Sequence, residues 1–390
     1  MLPQTPFYYY NIPLLKSTLD AINDAIKLYP NYHVHYALKA NANPILLSHI
    51  QQAGLGADCV SGGEVQRAIE LGFPAQQIVY AGVGKSDREI QLALQHNILC
   101  FNVESIPELH VINEIAAQHN QVARVCLRIN PDVAAHTHQF IATGKAENKF
   151  GIAYADMMQV IQIARHLEHI QLIGLHFHIG SQITDMNDYI HLCERINTIQ
   201  SMLQEHSIHL SLINVGGGLG VDYEDPQNNA IPNFKAYFDV FAQHLQLMPN
   251  QSLHFELGRS VVAQCGTLIA QVLYVKQTPT KQFVILDAGM TELIRPALYQ
   301  AKHKITNTTS SSPIIERYDV VGPICESSDV FAQDILLPTT KRGDIIAIHS
   351  AGAYGESMAS TYNCRPLPPA YTNDQITDNS QLIINTNEDC

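Results

Sequence analysis

The stretch HVHYALKANANP, residues 33–44, sets a short β-type run directly against Lys39. HVHYAL (33–38) reads as a strand, which places the lysine at its C-terminal end. Outward from there, short β-type runs alternate with longer stretches of helical period as far as residue 256. That is the pattern of repeated βα units. Strands are predicted at 33–38, 57–60, 78–81, 98–103, 123–129, 172–179, 210–215 and 253–256. Eight such units close a (β/α)8 TIM-type barrel.

The residues that follow these strands carry the chemistry. In order they are Lys39, Asp58 with Ser61-Gly62-Gly63, Gly82 and Gly84, Asn102 with Glu104, Asn130, His178 with Gly180-Ser181, Gly216-Gly217-Gly218, and Glu256 with Arg259. Barrel enzymes build their active sites at the C-terminal ends of the strands. An amine at one strand end, a glycine turn after the seventh strand and a carboxylate after the eighth are what a pyridoxal 5′-phosphate enzyme requires. The amine forms a Schiff base, glycine N–H groups cradle the phosphate, and the carboxylate meets the pyridine nitrogen.

After Arg259 the runs TLIAQVLYVKQ, KQFVILDAGM, ERYDVVGPIC and GDIIAIHSAGAY are β-rich with few helical periods. The expected organisation is a barrel over 25–261 and an all-β, β-barrel-like domain made of 1–24 and 262–370, joined by the N-terminal run FYYYNI. From Tyr371 the chain turns polar, and 371–390 is expected to be a disordered tail.

Composition narrows the partners. With 23 Lys and Arg against 36 Asp and Glu the formal charge is −13, which disfavours nucleic acid and anionic membranes and suits a small substrate. No run approaches the roughly 20 apolar residues of a membrane span and the start lacks a basic leader, so a cytoplasmic location is expected. The eight cysteines show no metal-ligand spacing and read as reduced, mostly buried residues.

The motifs HYALKANANP, GADCVSGGE, HFHIGSQ, NVGGGLG, ELGR, MTELIRPALY, GPICESSD and SAGAYGESMASTYN resemble the fold-type III pyridoxal-phosphate-dependent amino acid decarboxylases, most closely their diaminopimelate-specific branch. The resemblance runs from TPFYYY to NCRPLP. It implies that Lys39 carries the cofactor, that the His178 ring lies against one cofactor face, and that Ser181, Gly216, Gly217, Gly218 and Tyr354 hold the phosphate. Glu256 would pair with the pyridine nitrogen; the proline that usually follows this glutamate is Leu257 here. His176 is assigned to the opposite side of its strand from His178, in the core or the helix layer.

The resemblance further implies decarboxylation of meso-2,6-diaminopimelate to L-lysine, the last step of bacterial lysine synthesis. Arg259, Arg295, Tyr299 and Tyr354 would bind a distal carboxylate, and Glu326 the distal ammonium. An arginine facing the ammonium of ornithine would repel it, so the arginines favour the diamino diacid. Cys325 is expected to govern protonation at the α-carbon. In the family the Cys-Glu segment reaches the partner subunit's cofactor, so a homodimer with shared sites is expected. The competing readings are a decarboxylase of carboxynorspermidine or a basic amino acid, an alanine racemase, and a non-catalytic pyridoxal-phosphate-binding homologue.

Overall fold

A computed structural model describes residues 3–132 and 149–376 of the chain. Its contacts divide the chain into two compact units, one formed by residues 19–220 and 233–258, the other by 1–18, 221–232 and 259–390. The boundaries expected at 24/25 and 261/262 therefore shift, and residues 221–232, assigned to the barrel by position in the chain, group with the β unit.

The chain opens with β1 (Phe7–Tyr10) and α1 (Ile12–Ile26). The first unit then runs β2 (Tyr32–Ala37), α2 (Pro44–Gln52), β3 (Gly56–Cys59), α3 (Gly62–Glu70), β4 (Ile78–Tyr80), α4 (Asp87–Gln95), β5 (Cys100–Val103), α5 (Ile106–Gln118), β6 (Ala123–Asn130), a short β7 (Ile152–Ala153), α6 (Met157–His166), β8 (Ile170–His176), α7 (Asn187–Glu205), β9 (Leu212–Asn214), α8 (Phe234–His244) and β10 (Ser252–Leu257). The order β5-β4-β3-β2-β10-β9-β8-β6, with β5 paired back to β6, closes an eight-stranded parallel barrel. β10 continues through Leu257, which registers with Tyr36 of β2.

Three successive helices start on the same device. Ser61, Ser86 and Ser105 each precede a glutamate by three residues, and Glu64, Glu89 and Glu108 accept from the N–H of Val60, Ser86 and Glu104. These Ser-x-x-Glu starts satisfy orphan amides at the helix entrances and fix where each loop leaves its strand.

Alternation along β10 separates two layers. Phe255 turns outward and packs edge-on against Phe238 and Phe241 of α8, with ring centroids 4.9 and 5.1 Å apart. His254 and Glu256 consequently face the barrel interior. Near the N-terminal end of the strands that interior is polar: His35 Nε2 meets His254 Nδ1 at 2.8 Å, His35 Nδ1 meets the Gln77 carbonyl at 2.9 Å, and Ser252 Oγ meets His254 Nε2 at 3.0 Å. The Gln77 carbonyl only accepts, so with both rings neutral the chain has one direction: Ser252 donates to His254, His254 to His35, and His35 to Gln77. Gly56 makes room for this layer, since a Cβ there would sit 2.5 Å from His35 Nδ1.

The second unit is an eight-stranded sheet. Its strands are β1, β11 (Gly266–Gln277), β12 (Gln282–Leu286), β13 (Ile305–Asn307), β14 (Ile315–Val321), β15 (Val330–Pro338), β16 (Ile345–Ile348) and β17 (Ala370–Thr372). β1 pairs antiparallel with β11 and parallel with β17. The expected disorder does not hold for residues 371–376: Ile376 is 4% exposed and packs with Phe7, Tyr9 and Ile269, with Tyr371 against the same cluster. These apolar side chains hold the segment to the sheet. Residues 377–390 lie outside the described residues.

Burial lowers His35 to about 4. Its folded pKa lies below the unfolded value near 6.5, so its stabilisation is complete above that value and is lost as pH falls toward 4. Urea unfolding should show His35→Gln losing less stability than the parent between about pH 7 and about pH 4.5, by on the order of 3 kcal/mol. An unchanged pH slope would remove His35 from the account.

Candidate active site

Lys39 sits in a single helical turn, Leu38–Ala40, immediately after β2. Its Nζ donates to Asp58 Oδ2 at 3.2 Å, and Asp58, on β3, is fully buried. Burial raises the Asp58 carboxyl to about 6, helped by the Glu256 charge and opposed by Lys39. Asp58 Oδ1 has no hydrogen-bond partner among the described residues.

Glu256 is 6% exposed inside the barrel. Its Oε1 accepts from Asn102 Nδ2 at 3.0 Å and Asn214 Nδ2 at 2.8 Å, and its Oε2 from His176 Nε2 at 3.0 Å. Burial alone would push this carboxyl up, but the His176 ring and Lys39 outweigh it and hold Glu256 well below the usual carboxylate range.

The assignment of His176 to the face opposite His178 is overturned. Residues two apart share a strand face, and His176 turns inward onto Glu256. His178 also stands on this side, its Nδ1 accepting from the Gly217 N–H at 3.4 Å. Burial, with Arg128 and Lys39 nearby, drives the His178 pKa down and leaves a neutral imidazole.

The glycine turn is a packing joint as well as a potential anion cradle. Gly216 and Gly218 have φ of +66° and +99°, open to glycine without strain. A Cβ on Gly217 would lie 1.7 Å from the Glu256 carbonyl oxygen. Asn214 Oδ1 accepts from Gly216 N at 2.8 Å while the Glu256 N–H donates to the Gly216 carbonyl at 2.8 Å. Ser181, half-buried, follows His178 in the loop after β8.

Beside this group Arg128 on β6 pairs with Glu104 at 2.7 Å, and Glu104 also accepts from the N–H groups of Gly82 and Gly151. Loops from three strand ends are thus tied to one carboxylate.

The remaining expected residues lie in the β unit. Arg259 and Arg295 are each 6% exposed. Arg259 Nη1 donates to Tyr223 Oη at 2.7 Å. Its guanidinium stands 5.0 Å from the Tyr354 ring, and that of Arg295 5.7 Å from Tyr354 and 5.6 Å from Tyr223. Tyr354 holds a φ of +58°, an uncommon conformation for a tyrosine that costs energy to maintain. Arg295 Nε has no hydrogen-bond partner among the described residues, and burial pulls its pKa down. Tyr299 ends the short helix that begins at Arg295.

Cys325 and Glu326 occupy an exposed loop, where Glu326 Oε1 accepts from Tyr362 Oη at 2.7 Å. Buried Asp329 anchors that loop by accepting from Met290 N at 2.6 Å and Ile324 N at 2.7 Å.

Residues 15–263 match the family described as pyridoxal-dependent decarboxylase, pyridoxal binding domain. The chain is 61% identical to a diaminopimelate decarboxylase of Bacteroides thetaiotaomicron over 96% of both sequences. The chain belongs to the diaminopimelate decarboxylases. Its structure resembles the crystal structure of the Helicobacter pylori enzyme complexed with L-lysine, at a TM-score of 0.89 and 43% identity, covering 95% of this chain and 92% of that one. The M. jannaschii enzyme, in co-complex with L-lysine, gives a TM-score of 0.87 at 36% identity, covering 95% and 88%.

Pyridoxal phosphate is the cofactor of this family, and the barrel residues fit it. They supply an amine at a strand end, a buried carboxylate held as an anion, and a glycine turn whose backbone carries no Cβ. Sequence reasoning named Asp58 and Asn102 only as strand-end polar residues, gave His176 a place in the core or the helix layer, and assigned no role to Asn214, Arg128 or Tyr223. For the strand residues the available signal was a polar side chain inside an otherwise apolar run.

Gly217→Ala should drive the β9 turn away from Glu256, lowering stability by about 2 kcal/mol or more and weakening cofactor binding. Thermal unfolding and absorbance titration with pyridoxal phosphate measure both. A variant with parent-like values would show that the turn yields without cost.

Proposed function

We propose that the chain decarboxylates meso-2,6-diaminopimelate at its D-configured carbon to give L-lysine and carbon dioxide, in a homodimer whose sites are shared between subunits. The observation that carries the substrate reading is the buried pair Arg259 and Arg295, with Arg295 Nε unpartnered among the described residues. Buried guanidinium groups call for a counter-anion, and a distal carboxylate supplies one with matching fork geometry. Tyr223 and Tyr354 fix the two forks by their faces and, for Tyr223, by the hydroxyl.

Each residue then has a task at a stated atom. Lys39 Nζ would hold the cofactor, and Asp58 Oδ2 accepts from that Nζ. Bound pyridoxal phosphate supplies the electron sink for the pair left when carbon dioxide departs. Glu256, held as an anion, would pair with the ring nitrogen, and neutral His178 would offer a flat face to the ring. By the family resemblance Ser181, the glycine turn and Tyr354 would take the phosphate. Cys325 Sγ holds the proton that returns to the α-carbon, and Glu326 accepts the distal ammonium. The exposure of Cys325 and Glu326 supports their reaching a partner's site.

Arg295→Met should raise KM for meso-diaminopimelate by about one to two powers of ten, the worth of a charge-assisted contact. Steady-state assay of amine product against diaminopimelate isomers, ornithine, lysine and carboxynorspermidine tests this. Preference for ornithine in the parent protein would sink the substrate reading.

Lys39→Ala and Glu326→Ala should each be nearly inactive alone, and the first should lack the visible band of lysine-bound cofactor. After subunit exchange the mixture should recover about a quarter of parental activity, because about half the dimers are mixed and half their sites whole. No recovery despite exchange shown by a tagged-subunit pull-down would place both residues in one chain's site.

A further inference from the structure

The geometry assigns His176, Asn102 and Asn214 a joint role as positioning residues: they fill three lone-pair sites of Glu256 and leave one, on Oε2, to accept from the N–H that a bound pyridinium ring would bring. This rests on the reading of Glu256 as the partner of the ring nitrogen and deepens it to a single atom. A carboxylate has about four lone-pair sites. Both amides donate to Oε1, which saturates it, whereas Oε2 carries His176 alone among the described residues.

The amide orientations are not free. Asn214 Oδ1 accepts from the Gly216 N–H at 2.8 Å, so its Nδ2 must face Glu256. Asn102 Oδ1 lies 4.0 Å from Cys100 Sγ, a thiol donor, which turns its Nδ2 the same way. His176 is 1% exposed and Asn102 and Asn214 are fully buried, so none of the three donors faces bulk water. His176 differs from the amides because it shares the oxygen that the ring nitrogen needs. Its N–H fixes the rotation of the carboxylate and stabilises the charge on that oxygen.

The test compares His176→Phe, which keeps a ring and removes the donor, with His176→Gln, which restores an N–H. Cofactor affinity is read by absorbance titration of apoprotein, the pH dependence of the bound cofactor's visible band by spectroscopy, and kcat separately from KM. His176→Phe should weaken cofactor binding about tenfold at neutral pH, and further as pH falls, because Glu256 then takes a proton more readily. Its kcat should fall with KM for the amino acid little changed, and His176→Gln should recover most of both losses. Parent-like cofactor affinity and spectral titration in His176→Phe would overturn the assignment. So would equal damage in both variants matched by equal loss of apoprotein melting temperature, the signature of packing alone. The cofactor readouts need no substrate, so they decide this inference even if the chain proves not to act on diaminopimelate.

Discussion

The buried carboxylate of Glu256 is the group on which the barrel's interior depends. Moving a lone carboxylate out of water costs several kcal/mol, and here the compensation comes from three other strands. Asn214 sits on the neighbouring β9, His176 on β8, and Asn102 on β5 at the far end of the strand order. These donors converge only when β5 pairs with β6 and the sheet closes. Closure and ionisation of Glu256 therefore support each other, and the charge is available to chemistry because the fold has already solvated it with fixed dipoles.

The barrel strands are legible in the sequence because parallel strands buried on both faces read as short apolar runs between polar turns. The strand-end rule also places Lys39, His178, the glycine turn and Glu256 on one face of the barrel. What the sequence hides is contact between strands far apart in the chain. Asn102 and Asn214 look like interruptions of apolar runs until the closed barrel turns them onto one carboxylate. His176 was legible in principle, since sharing parity with His178 settles its direction. The grouping of residues 221–232 with the β unit was not, because Tyr223 is tied to it through an arginine 36 positions later.

The β unit organises its chemistry differently. Arg259 and Arg295 stand against the rings of Tyr223 and Tyr354, and Arg259 also donates to the Tyr223 hydroxyl, so two positive charges are gathered beside aromatic faces. The loop carrying Cys325 and Glu326 is fastened from below by Asp329, and Gly289 and Gly322 approach that carboxylate so closely that a Cβ would stand 2.8 and 2.3 Å from it. An exposed loop can in this way keep a defined shape.

Asn214 joins the glycine turn to Glu256, its Oδ1 accepting from the Gly216 N–H and its Nδ2 donating to the carboxylate. The glycine turn and the carboxylate are therefore ordered together when the chain folds. Little rotational or loop entropy remains to be lost when a ligand arrives, which favours affinity without demanding additional contact area. By mass action the reverse also holds: saturation with ligand raises the free energy of unfolding of the whole barrel. Occupancy by ligand thereby also lowers the population of opened chain that a protease can cut.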